Sequence, residues 1–123
     1  MQIIETPPSA DDFCNLRLLS GLSSRPLNAV IKALPASLYG VHLVMDGILI
    51  GMGRVVGDGA LNFEIVDIAV HPDHQGKGYG RIIMHHIMRY ISSAASPGSY
   101  VCLMAEVPNF YEKFGFQRTQ HPV

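Results

Sequence analysis

Ile68-Ala69-Val70-His71-Pro72-Asp73-His74-Gln75-Gly76-Lys77-Gly78-Tyr79-Gly80-Arg81 is the stretch from which the fold of this 123-residue chain is read. An apolar run stops at His71-Pro72 and a polar turn follows. Gly76, Gly78 and Gly80 then open a segment whose apolar residues recur with helical spacing. The order is strand, loop, helix. Glycines let a backbone pass close to a ligand without a Cβ in the way, and the first amides of a helix lack an internal acceptor. A helix start of this kind attracts anions, phosphate above all.

Upstream, Ser37 to Met45 and Ile48 to Val56 read as strands joined at Asp46-Gly47, a strong hairpin signal between apolar runs. Gly57-Asp58-Gly59 makes a second tight turn, and Leu61 to Val70 completes an antiparallel meander. Gly51 and Gly53 mark a bulge or a close approach in the middle strand. Before the meander, Gln2 to Thr6 is a short strand stopped by Pro7-Pro8. A helix capped by Ser9 or Asp11 then runs to about Leu19, with Phe13, Leu16 and Leu19 on one face, and ends at Gly21. Pro26 introduces a second short helix from Leu27 to Leu34.

Downstream, Ile83, Met84, Ile87, Met88 and Ile91 form the apolar stripe of a helix from about Tyr79 to Ser92, with Arg81, His85 and Arg89 opposite. After Ser96-Pro97-Gly98, Tyr100 to Ala105 reads as a buried strand, Pro108 to Phe114 as a short helix and Phe116 to Gln120 as a last strand. The fold class is α/β (α+β), one domain over residues 1–123.

Nearly half of the residues are apolar and the formal charge is −1, so the chain is globular and carries no basic surplus for nucleic acid or an anionic membrane surface. No run approaches the roughly 18 apolar residues of a membrane span, and the N-terminus lacks the basic start and apolar stretch of a secretion signal. Cys14 and Cys102 lie in apolar segments away from metal-ligand spacing and are expected to be reduced, which points to the cytoplasm. The six histidines do not close a ligand set: His71 and His74 flank a turn while His85 and His86 are helix neighbours pointing apart, so no metal is expected.

The spacing rules out two common phosphate loops. Gly80 is followed by Arg81-Ile82 rather than by Lys-Ser or Lys-Thr, so there is no nucleoside-triphosphate loop; Arg81 stands where a dinucleotide fingerprint needs its third glycine. What remains is Gln75-x-x-Gly78-x-Gly80 directly after a strand that ends Val70-His71-Pro72. It resembles the acetyl-CoA loop of the GNAT superfamily of N-acetyltransferases. Asn109-Phe110-Tyr111-Glu112-Lys113-Phe114-Gly115-Phe116 is similar to that superfamily's second signature.

The resemblance implies a mixed, mostly antiparallel sheet with flanking helices, in which the strand ending at Val70 and the strand Tyr100 to Ala105 run parallel and splay apart. The pantetheine arm of acetyl-CoA enters that V, along the amides of Ile68, Ala69 and Val70. Gln75, Gly76, Lys77, Gly78, Tyr79, Gly80 and Arg81 take the pyrophosphate, and Asn109 stands near the pantetheine. A β-bulge near Val70 is expected to turn an amide toward the thioester carbonyl. The two N-terminal helices form one wall of the acceptor site, with Arg25 and Arg54 as substrate contacts.

Transfer of an acetyl group to a primary amine requires a base, because an alkylamine of pKa about 10.4 is mostly ammonium at pH 7. Glu64 holds the position where the histone-acetylating branch carries its base, whereas Asp67-Ile68-Ala69-Val70 echoes the glucosamine-6-phosphate N-acetyltransferase branch. Strand alternation sets the two carboxylates on opposite faces, so one of them is expected in the cleft. Tyr111 matches the tyrosine that protonates the leaving thiolate. An ordinary phenol, at about 10, still holds its proton where a thiol, at about 8.5, is losing its own.

The expectation is therefore direct transfer in a ternary complex with no covalent intermediate, to a small-molecule or peptide amine. The alternative is a catalytically silent acyl-CoA-binding regulatory module. One departure is Val107, where many relatives have a pantetheine-contacting asparagine. The chain also stops at Val123, soon after Phe116, which leaves the acceptor site either open or completed by a second subunit in a homodimer.

Overall fold

The computed structural model describes residues 1–103 and 113–117. Strand β1 (Gln2–Ile4) leads to helix α1 (Ala10–Leu19), and α2 (Leu27–Ala33) follows and tightens into a 3₁₀ turn at Leu34–Ala36. Then come β2 (Tyr39–Met45), β3 (Ile48–Gly57), β4 (Asn62–Val70), helix α3 (Tyr79–Ala94) and β5 (Tyr100–Leu103). Among the described residues, five strands form one sheet in chain order, antiparallel except for the parallel pair β4 and β5.

Local chemistry sets the element ends. The Ser9 side chain accepts the amide of Asp12 at 3.2 Å, capping α1, and Gly21 closes the helix region with φ +87°. Asp46 and Gly47 both have positive φ, the mirror-image turn that suits the twist of a tight hairpin. Gly78 at the N-cap of α3 is also left-handed at φ +88°, and of the predicted stripe Ile83, Met84, Ile87 and Ile91 are buried and Met88 partly so.

The sheet is covered on both faces. α3 packs on one face against Val41, Leu43, Ile50, Val55, Phe63 and Ile65. On the other, Phe13 and Leu16 of α1 meet Val30, Leu34, Met52 and Ala69. Gly51 and Gly53 explain how α3 comes so near. A Cβ on Gly53 would lie 2.5 Å from Ile68 Cδ1 and 2.9 Å from both Ile83 Cγ2 and Ile87 Cδ1. A side chain at this position would have to displace these isoleucines.

The structure corrects the reading of α1. Leu19 is exposed, and the buried stripe is Phe13, Leu16 and Arg17. A charged residue occupies the third place because it finds a partner in the sheet. The predicted segments after Leu103, including the region where the parallel strands would splay and the short helix from Pro108, lie outside the described residues apart from a turn over 113–115.

Candidate active site

The loop after β4 is braced from within. His71 donates its amide to Ile50 O at 2.8 Å and accepts the Asp73 amide on Nδ1 at 3.1 Å, which holds the turn Pro72–His74 against the sheet. Gln75 Nε2 donates back to Val70 O at 3.0 Å, so the expected ligand residue is also the strut that folds the loop onto the strand end. Gly76 (φ +77°) and Gly78 (φ +88°) adopt backbone that side chains resist, with open space where a Cβ would stand. Gly80 falls inside α3. Among the described residues, Gly78 at the N-cap brings no side chain to cap the first turn of α3, which leaves its leading amides available to a ligand. These residues fit a pyrophosphate.

The edge of β4 fits the rest of a CoA arm. Among the described residues, β5 pairs only with Asn62 to Ile65, and the continuation through Ile68, Ala69 and Val70 has no described strand beside it on that side. An extended chain can add there as a strand would.

The bulge sits earlier than expected. Met52 faces Ala69 and Arg54 faces Val66, so Gly53 alone opposes both Asp67 and Ile68, and Asp67 takes the left-handed φ of +60°. The extra residue resets the alternation. Phe63 and Ile65 point into the α3 core, which turns Glu64 to the opposite face. Asp67 reaches Arg17 of α1 on that same face. Glu64 and Asp67 therefore share the α1 side of the sheet, contrary to the opposite faces that unbroken alternation implies.

The Asp67 side chain is only 7% exposed, and both of its oxygens are engaged. Arg17 Nη1 donates to its Oδ1 in a short ion pair, and Arg54 Nε donates to Oδ2 at 2.7 Å. Arg54 also donates from Nη1 to Ser37 Oγ at 3.1 Å and lies over the Phe13 ring at 6.0 Å. Arg17 extends the network to the α1–α2 loop, donating from Nε to Ser23 O at 2.9 Å and from Nη2 to Ser23 Oγ at 3.1 Å. One guanidinium thus ties a helix, a loop and the strained residue of β4 together. Sequence reasoning missed Arg17, although its place on the Phe13–Leu16 stripe is a readable signal: an arginine on a buried face needs a carboxylate.

Beside this network lies a cavity of about 190 Å³, lined by Phe13, Arg25, Ala29, Val30, Ala33, Leu34, Arg54 and Asp67. The two arginines expected to contact substrate, Arg25 and Arg54, thus meet Asp67 around one space. Glu64 is half-buried on the same face, paired in register with Cys102 of β5. Burial at the strand and the neighbouring Glu64 carboxylate both push the Cys102 thiol up. Tyr111 and Asn109 lie outside the described residues, as does Val107. Among the described residues, no group of three or more His, Cys, Asp or Glu is arranged to hold a metal, and no helix is long and apolar enough to cross a membrane.

The comparisons with known proteins agree with this geometry. The profile described as Acetyltransferase (GNAT) domain matches residues 39–118. A solved structure, a probable acetyltransferase of unknown function from meticillin-resistant Staphylococcus aureus, superposes with a TM-score of 0.93 at 44% identity, covering 97% of this chain and 91% of that one. The uncharacterized N-acetyltransferase ycf52 of Porphyra purpurea is 35% identical over 102 residues, 78% of this chain and 58% of that protein. Its counterpart in Gracilaria tenuistipitata var. liui is 31% identical over 124 residues, 93% of this chain and 68% of that protein. The chain spans about three fifths of the length of the first of these curated relatives. With the domain profile matched over most of the chain and the mixed sheet and glycine loop in place, this protein belongs to the GNAT family of acetyltransferases.

Proposed function

We propose that the chain transfers an acetyl group from acetyl-CoA to a primary amine in a ternary complex, without a covalent enzyme intermediate. The observation that carries this is the start of α3 behind Gly76 and Gly78, with no side-chain cap from Gly78, set beside the edge of β4 at Ile68 to Val70, which no strand among the described residues pairs on the β5 side. Acetyl-CoA supplies the activated acetyl thioester. Gln75 to Arg81 hold its pyrophosphate at the helix start, and Ile68, Ala69 and Val70 align the pantetheine arm by main-chain hydrogen bonds.

Glu64 is the base in this reading, acting directly or through a water. Asp67 has both carboxylate oxygens committed to guanidiniums, so its role is to fix the bulge and the arginines around it. A backbone amide freed in the β4 segment from the bulge to Val70 meets the charge that develops on the acetyl carbonyl oxygen. A preorganised donor of this kind contributes roughly 3 to 4 kcal/mol. Tyr111 returns a proton to the departing thiolate, and Asn109 assists on the pantetheine side. Arg25 and Arg54 orient the acceptor.

The test is release of CoA thiol from acetyl-CoA with a panel of amines, amino sugars and peptides, run in parallel on Tyr111→Phe and with a blank for Cys14 and Cys102. Acceptor-dependent release that falls at least tenfold in the variant supports the reading. Tight acetyl-CoA binding without acceptor-stimulated release by any member of the panel contradicts it and favours an acyl-CoA-binding module.

A further inference from the structure

We propose that the cavity between α1, α2 and the β3–β4 hairpin binds an oxyanion carried by the acceptor, a carboxylate or a phosphate, and that Arg25 selects for it. This rests on the transferase reading and names its substrate class. The charge balance around the cavity carries the inference. Arg17 and Arg54 share the single carboxylate of Asp67, and Arg25 lines the same cavity with no ion pair among the described residues. Two guanidiniums, Arg25 and Arg54, therefore line the cavity with one carboxylate, Asp67, which Arg17 outside the lining also pairs, so the lining is net positive. A simple ammonium is repelled from such a place, whereas an amine that also carries an anion is drawn in and held by its anionic end.

The site is built rather than incidental. The Arg25 segment is anchored through Ser23 and through the Arg25 carbonyl. Ser23 is held by Arg17, and the Cys14 thiol lies 3.8 Å from Arg25 O, which leaves the exposed Arg25 side chain as the adjustable member. Arg54 is held by Asp67 and Ser37 and braced over Phe13. Phe13, Val30 and Leu34 make much of the remaining wall apolar. At about 190 Å³ the cavity is smaller than the roughly 300 to 1,000 Å³ of a complete ligand pocket, so it takes a substituent rather than a whole acceptor.

The experiment is calorimetric titration of the full chain, alone and with CoA, with two matched product pairs. One pair is N-acetyl-leucine and N-acetyl-leucinamide; the other is N-acetylglucosamine 6-phosphate and N-acetylglucosamine. The proposal expects the anionic member of at least one pair to bind tenfold or more tightly than its neutral partner, and the responding pair distinguishes carboxylate from phosphate. Arg25→Gln should bring the two members within about twofold of each other, and Arg25→Lys should restore part of the difference. Equal binding within both pairs, or a preference that survives Arg25→Gln, overturns it. Acetyl-CoA affinity on the same samples separates the two readings. Retained acetyl-CoA binding without anion preference sinks the acceptor class alone, whereas anion preference without acetyl-CoA binding upholds the oxyanion site and sinks the transferase.

Discussion

Arg17 on α1 and Asp67 on β4, fifty residues apart, form a buried ion pair that fastens the N-terminal helix to the one non-glycine residue of β4 with positive φ. Breaking a buried pair by removing one partner leaves the other charge in a poor medium, at a cost of typically 3 to 5 kcal/mol. Arg54 still holds Asp67 when Arg17 is gone, so the lower end applies. Arg17→Met should lower unfolding stability by about 3 kcal/mol in chemical denaturation. In a double-mutant cycle with Asp67→Asn the two losses should be strongly non-additive. Independent, additive losses would show that the pair is only a geometric neighbour.

Gly53→Ala should destabilise by about 1 to 3 kcal/mol, because the new methyl group enters space already held by Ile68, Ile83 and Ile87. Ile68→Val, which removes the nearest of these atoms, should recover part of the loss. Thermal unfolding of the two single variants and the double variant checks this, and a neutral Gly53→Ala would refute the close approach of α3.

Cys102 reports on the β4–β5 register. Burial first, and then the Glu64 carboxylate, raise its thiol above the ordinary range, so less thiolate is present at a given pH and alkylation should be slow for an exposed cysteine. Glu64→Gln removes the second cause and should move the rate–pH profile of iodoacetamide labelling to lower pH. An unchanged profile would place Glu64 away from Cys102.

Asp58 gives the β3–β4 turn a signature in acid. The Asn62 side chain, and then the backbone amides of Ala60, Asn62 and Leu61, hold its carboxyl well below the usual carboxylate range. A depressed carboxyl contributes stability that is full above its unfolded value, near 3.9, and is lost as the pH falls toward the folded value. Asp58→Ala should therefore lower the melting temperature at pH 6 and flatten the fall in stability between pH 4 and pH 2. A parallel fall in both proteins would contradict it.

The glycine loop, the Asp46-Gly47 hairpin and the α3 stripe were legible because each depends on residues close in sequence: a conformation only glycine adopts cheaply, or a period of three to four. The bulge was not legible at its true place, because two residues opposing one is a property of the pairing between β3 and β4. That one-residue shift overturned the expected split of Glu64 and Asp67. Arg17 was passed over for a related reason. A basic residue near a helix end reads as solvated until the strand that carries its carboxylate is packed against it.

The central claim, that the start of α3 and the edge of β4 at Ile68 to Val70 hold acetyl-CoA, is tested most directly by titrating the isotope-labelled chain with acetyl-CoA and following backbone amide resonances. Saturable binding should shift the amides of Gly76 to Arg81 and of Ile68 to Val70 most strongly, and 3′-dephospho-CoA, which keeps the pyrophosphate, should still perturb the α3 start. No binding, or shifts confined to other parts of the sheet, would contradict the account.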